Sequence, residues 1–299
     1  MKKLLAIVLA ALMCMTVLVA CNNDTETLDA AADNGDVTAN DDANVEAEVE
    51  AEPEVEAEPE ADTASDLQAI KDRGVLVVGI TDFAPMDYQD EEGNWIGFDA
   101  DMAKAFAEYL GVDVQFQIID WDNKVLELNS GTIDVVWNGM TLTEEVKAAM
   151  ECSNAYCNNA QVVILPVEEA ENYADAASMA DLLFAVEAGS AGEAEATANG
   201  FATTPVLDQA TALLEVSTGN ADAAVIDSLM AGAMVGEGTD YEGLTYTIGL
   251  NSEEYGVGFR KGSDAAAALN AFFVECYADG TMMEIAETYG VDAAVIAQY

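Results

Sequence analysis

The chain contains no histidine, and its nine lysine and arginine residues stand against 57 aspartates and glutamates. Without imidazole, general acid–base chemistry would fall to carboxylates or tyrosine. No glycine-rich phosphate loop or nucleophile elbow is visible either. The formal charge of −48 excludes nucleic acid and anionic membrane surfaces as partners, since both require clustered bases. From residue 148 to 259 there is no base at all.

What the chain does have is apolar material. Hydrophobic residues make up 52% of its 299 positions, enough for one large or two ordinary domains with a sizeable core. The N-terminus, "MKKLLAIVLAALMCMTVLVAC", joins two lysines to an apolar run that ends in Leu18-Val19-Ala20-Cys21. This order predicts an export signal over 1–20 rather than a spanning helix of the mature protein. The final tetrapeptide resembles a bacterial lipobox, which implies cleavage before Cys21 and lipidation of its thiol. An ordinary signal peptide with an incidental cysteine is the alternative.

Residues 22–64 carry no lysine or arginine and almost no large apolar side chain. Self-repulsion and missing hydrophobic surface leave nothing to offset the entropy of ordering, so 21–64 reads as a lipidated cysteine followed by a disordered acidic tether. At roughly 3.3 Å per residue it spans on the order of 140 Å when fully extended. A partner-binding acidic tail is the rival reading, although alternating Glu, Ala, Val and Pro offers few anchors.

From Ser65 onward the pattern alternates strand with helix. "GVLVVGI" is a buried-strand run, and "GFDADMAKAFAEYLG" spaces Phe98, Met102, Ala105, Phe106 and Tyr109 helically up to a stop at Gly111. "VDVQFQII", "NKVLELNSG", "TIDVVWNGM" and "TEEVKAAM" repeat the alternation, and a second series covers "FAVEAGSAGEAEATANG" to "YTIGL". Such alternation implies two α/β lobes, each a mostly parallel sheet flanked by helices. The terminal helices "DAAAALNAFFVECYADG" and "TMMEIAETYG" have no strands of their own and must pack on one lobe.

Five blocks, "GVLVVGITDFAPMDYQDEEGNWIGFDADMAKAFAEYLG", "NSGTIDVVWNGMTLTEEVKAAMECSNAYCNNAQVVIL", "AVEAGSAGEAEA", "STGNADAAVID" and "YGVGFRKGSDAAAALNAFFVECYADGTMMEIAETYG", carry a resemblance in their order and spacing. Over 66–290 the chain resembles the extracellular solute-binding proteins of polar amino-acid ABC importers (family 3). The resemblance implies a two-lobe periplasmic-binding-protein-like (type II) fold with the ligand in a cleft between the lobes. Lobe one would be 66–158 plus 248–299, and lobe two 159–247. It also implies a monomer without cofactor that serves ABC permease subunits and touches the outer face of the cytoplasmic membrane only through its lipid.

The same resemblance implies site positions. Phe83 and Trp121 occupy the places of aromatics that enclose the ligand, with a core role as the plainer reading of each. Asn138, Gly139, Met140 and Thr141 match backbone and hydroxyl contacts. Asn138 is larger than the small residue expected there, so it would fill part of the pocket. Ser190 and Ala191 match a helix N-terminus that helps hold a carboxylate through backbone N–H groups. Asp227 matches the partner of the ligand's α-amino group, at a strand's carboxyl end where such folds place their sites. Its alternative role is helix N-cap.

One departure changes the expectation about ligand. Relatives carry an arginine three residues after the second threonine of "TLT", where its fork grips the ligand's α-carboxylate. Here that place is Val146, and Lys147 is rotated about 100° around the helix. Lys71, Arg73, Lys104, Lys124, Arg260 and Lys261 lie in segments not expected at the cleft. Either a ligand carboxylate is met only by helix N-termini and Thr141, or the ligand has none; an amine, or a cationic or neutral amino-acid derivative, is expected over an acidic amino acid. A dehydratase-like enzyme on the same fold and a tethered sensor are the other readings. Cys152 and Cys157 bracket "SNAY", leaving a disulfide and buried free thiols both open, while the odd Cys276 and missing histidine argue against a zinc site.

Overall fold

A computed structural model describes residues 65–299. The export signal, Cys21 and the acidic tether lie outside the described residues. Strand Val75–Ile80 lies between Asp113–Ile118 and Val135–Thr141, all three parallel, and Glu253–Arg260 runs antiparallel beside the last. Met150–Cys152 and Cys157–Asn159 pair with the far edge of Glu253–Arg260. The second sheet repeats the plan: Ala202–Val206, Leu183–Glu187 and Ala223–Asp227 are parallel, and Gln161–Pro166 and Leu244–Gly249 follow antiparallel. Each sheet is thus mixed. The parallel part comes from strand–helix alternation, and the antiparallel part from segments adjoining the two crossings, around Ala160 and 250–252.

Local sequence explains the elements. Helix Phe98–Leu110 buries Phe98, Met102 and Phe106 on one side and stops at Gly111, whose φ of 75° suits a residue without Cβ. Helix Lys124–Ser130 ends in the same way at Gly131. The terminal helices Ala265–Asp279 and Thr281–Tyr289 pack on the first lobe, with the Phe272 ring 5.4 Å from Phe106 and Phe273 5.7 Å from Trp137, centroid to centroid. Each fully buried ring of this kind contributes about 1.5 to 3 kcal/mol over its exposed state. Among the described residues no helix is long and apolar enough to cross a membrane.

Cys152, Cys157 and Cys276 are free thiols. Cys152 sits opposite Gly258 and Cys157 opposite Tyr255 on the same strand, so they are about 10 Å apart along it. A disulfide needs Cα atoms within about 7 Å, so this register does not permit one.

Candidate functional site

The carboxyl ends of the parallel strands in both sheets converge on one cavity of about 880 Å³. Thr81 follows Val75–Ile80, Asn138 to Thr141 end Val135–Thr141, Glu187 ends Leu183–Glu187, and Asp227 ends Ala223–Asp227. Further apolar lining comes from the helices, with Val125, Val146 and Ala149 from the first lobe and Ala191, Ala194 and Ala198 from the second. All nine residues singled out from sequence, Phe83, Trp121, Asn138, Gly139, Met140, Thr141, Ser190, Ala191 and Asp227, line this cavity.

Their polar groups are largely committed to the protein itself. Asn138 accepts from the Thr81 backbone N–H at 2.9 Å and the Thr81 hydroxyl at 2.8 Å, and its amide donates to Asp87 at 2.8 Å. It therefore braces a loop of its own lobe, where the sequence suggested a pocket filler. The Gly139 N–H donates to Asp99 at 2.7 Å and so is taken. Gly139 has φ of 54°, and a Cβ there would run into the Phe83 ring, so glycine is required twice over. The Thr141 hydroxyl donates to Glu253 at 2.8 Å. Phe83 and Trp121 are both core and lining, at 2% and 6% exposure.

Asp227 is at the N-cap position of helix Ser228–Met234, but its side chain makes no capping bond. Its Oδ1 accepts from Asn159 and from Gln161 at 2.8 Å, and its Oδ2 accepts from Gln209. The same two amides of Asn159 and Gln161 also donate to Glu253 Oε1, at 2.7 and 2.8 Å. This shared network straddles the crossing strands. Burial, and then the neighbouring Glu253, push Asp227 up to about 7.

At the lobe-two helix start, Ser190 Oγ accepts from the Glu193 N–H at 3.1 Å, and the Glu193 carboxylate accepts from the Gly189 N–H at 2.8 Å. The Glu193 carboxylate thus braces the turn just before the helix start, beside the Ser190 and Ala191 positions. Val146 is 8% exposed and packs with Trp121, Met140 and Met150. Lys147 does not line the cavity and pairs with Glu144 at 3.2 Å on the surface.

Sequence reasoning missed five charged lining residues, Asp122, Lys124, Glu145, Glu187 and Glu193, of which Lys124 and Glu187 are buried. Lys124 was placed away from the cleft, yet it lines the cavity: its Nζ donates to the Gly189 carbonyl at 2.8 Å and to the Trp121 carbonyl at 3.1 Å, 4.8 Å from the Trp121 ring centroid. Burial lowers its pKa, opposed by Glu187, Asp122 and Glu145. Lys124 is three residues from Trp121, a spacing that joins side chains on one helical face and was the available signal. Glu187 is 3% exposed, and its only signal was its place at a strand end just before "AGS". The lining carries five carboxylates, on Asp122, Glu145, Glu187, Glu193 and Asp227, against one ammonium.

Two lobes around a cleft of strand ends have the architecture of the amino-acid binding proteins. The chain belongs to the bacterial extracellular solute-binding proteins, family 3, whose description matches residues 76–292. It is similar to the L-cystine-binding protein TcyJ of Escherichia coli (strain K12), 28% identical over 231 residues that cover 76% of this chain and 86% of the relative. Among solved structures it resembles an ABC uptake transporter substrate-binding protein from Streptococcus pneumoniae with bound histidine, at 29% identity, TM-score 0.70, and 77% and 98% coverage. A mutant of ArgBP from T. maritima superposes with TM-score 0.69 at 30% identity, over 75% and 98% of the two chains.

Proposed function

We propose that this protein captures small amines for an ABC importer, tethered by a lipid on Cys21 to the outer face of the membrane, and delivers them to permease subunits. The cleft takes an amino-acid-like molecule that keeps its positive charge and has no α-carboxylate needing support. The observation that carries this reading is Val146, an apolar residue lining the cavity at the place where the family resemblance implies a carboxylate-gripping arginine. Glu193 strengthens it by adding a negative charge beside the helix start, where a ligand carboxylate would otherwise be held. With five acidic groups against one base around the cavity, a ligand anion is repelled and a cation attracted.

Relatives named for cystine, arginine and histidine support a ligand drawn from amino acids and their derivatives. A thermal-shift screen of L-arginine, L-histidine, L-cystine and L-glutamine beside agmatine, histamine and putrescine tests the reading. A ligand that binds the folded state raises the melting temperature by mass action. The amines are expected to stabilise more than their parent amino acids. Stabilisation by the amino acids alone would overturn the preference for amines. Radiolabelled palmitate entering the native protein but not a Cys21→Ala variant tests the anchor.

A further inference from the structure

We infer that Glu187 is the residue that fixes the charge of the ligand, receiving the positive group that Asp227 alone has too little free capacity to hold. This rests on the reading of the cleft as an amine site and deepens it.

The argument is a count of lone pairs. An ionised carboxylate offers about four acceptor positions. Asp227 accepts from the side-chain amides of Asn159, Gln161 and Gln209, which leaves it about one. An ammonium brings three donors. Glu187 ends the parallel strand next to that of Asp227, lines the same cavity, and is 3% exposed. Its Oε1 has no hydrogen-bond partner. Thr81 lines the same cavity within reach of the Glu187 carboxylate, but its single hydroxyl proton goes to Asn138 at 2.8 Å, which leaves Glu187 Oε1 without a donor. Lys124 is engaged with two backbone carbonyls and offers Glu187 charge rather than a hydrogen bond.

A buried acceptor without a donor is costly unless something supplies one. An ammonium or guanidinium shared between the last position of Asp227 and the free Oε1 of Glu187 satisfies both. A neutral group cannot compensate two carboxylates on adjacent strand ends, which repel one another. Glu187 therefore selects for charge, while Asp227 orients the group and ties it to the crossing strands.

The test is calorimetry of native protein, Glu187→Gln and Glu187→Asp with agmatine, putrescine, L-arginine and L-glutamine, after thermal melts have shown that the variants fold. The best native binder is expected to lose more than about tenfold in affinity in Glu187→Gln, the scale of a lost charge-assisted hydrogen bond, and to recover part of it in Glu187→Asp. Unchanged or tighter binding by Glu187→Gln would overturn the assignment and leave the amine reading standing. If none of the four binds the native protein at millimolar concentration, the amine reading itself falls, and this inference with it.

Discussion

The Lys124 ammonium, carried by the first lobe, donates to the Gly189 carbonyl of the second at 2.8 Å, bridging the two lobes beside the cavity. The approach there is tight: a Cβ on Gly189 would lie 2.7 Å from Asp122 Oδ1. Lys124→Met keeps the apolar stem and removes this contact. Small-angle scattering on the ligand-free protein is expected to show a larger radius of gyration, since each 1.4 kcal/mol lost from the closed form lowers its population about tenfold. An unchanged profile would mean that the bond does not hold the lobes together.

Gly139→Ala places a methyl against the Phe83 ring at a backbone angle that L-residues rarely adopt. Overpacking and strain together are expected to cost about 1 to 3 kcal/mol in urea denaturation and to weaken ligand binding as Phe83 moves. A variant as stable as the native protein would show that the loop yields freely.

Asp227→Asn removes acceptors from a network of three donating amides and turns one amide NH₂ against another. Affinity for a cationic ligand is expected to fall by about 1.5 to 3 kcal/mol in calorimetry, and the melting temperature should fall with it. Equal affinities would remove Asp227 from the site.

Burial holds Asp99 and Asp227 up at about 7, and it raises Asp87 and Glu187 well above the usual carboxylate range. Such groups bind more protons in the folded than in the unfolded chain between roughly pH 4 and 7, so their stabilising effect is complete below that window and lost as pH rises through it. The melting temperature of the ligand-free protein is therefore expected to fall from roughly pH 5 to 8. Affinity for a cationic ligand should rise as Asp227 ionises through about pH 7. Melting temperatures that climb with pH would contradict this.

The parts of the fold that local pattern encodes were legible in the sequence. Helical spacing from Phe98 to Phe106 with a stop at Gly111, and the buried run "GVLVVGI", follow from neighbours along the chain. The positions around the cleft were legible through resemblance, because strand ends such as "NGMT" and "AAVID" stand at recognisable places in order. What those residues do with their polar atoms was not. Asn138 binds Thr81 and Asp87, the Gly139 N–H binds Asp99, and Thr141 binds Glu253, all through partners far apart in sequence. Glu187 was one acid among 57, and Lys124 lay in a segment not expected at the cleft, because its Gly189 partner is far away in sequence.

The central claim is that the cleft receives a positive charge without gripping a carboxylate, and Val146 tests it most directly. Calorimetry would compare native protein with Val146→Arg against L-arginine and agmatine, which differ only by the α-carboxylate. The account predicts that native protein binds agmatine at least as tightly as L-arginine, and that Val146→Arg weakens agmatine by placing a guanidinium beside a cationic ligand. Native protein that rejects agmatine, together with a Val146→Arg variant that tightens on L-arginine, would contradict it and make this an ordinary amino-acid site that has lost its arginine.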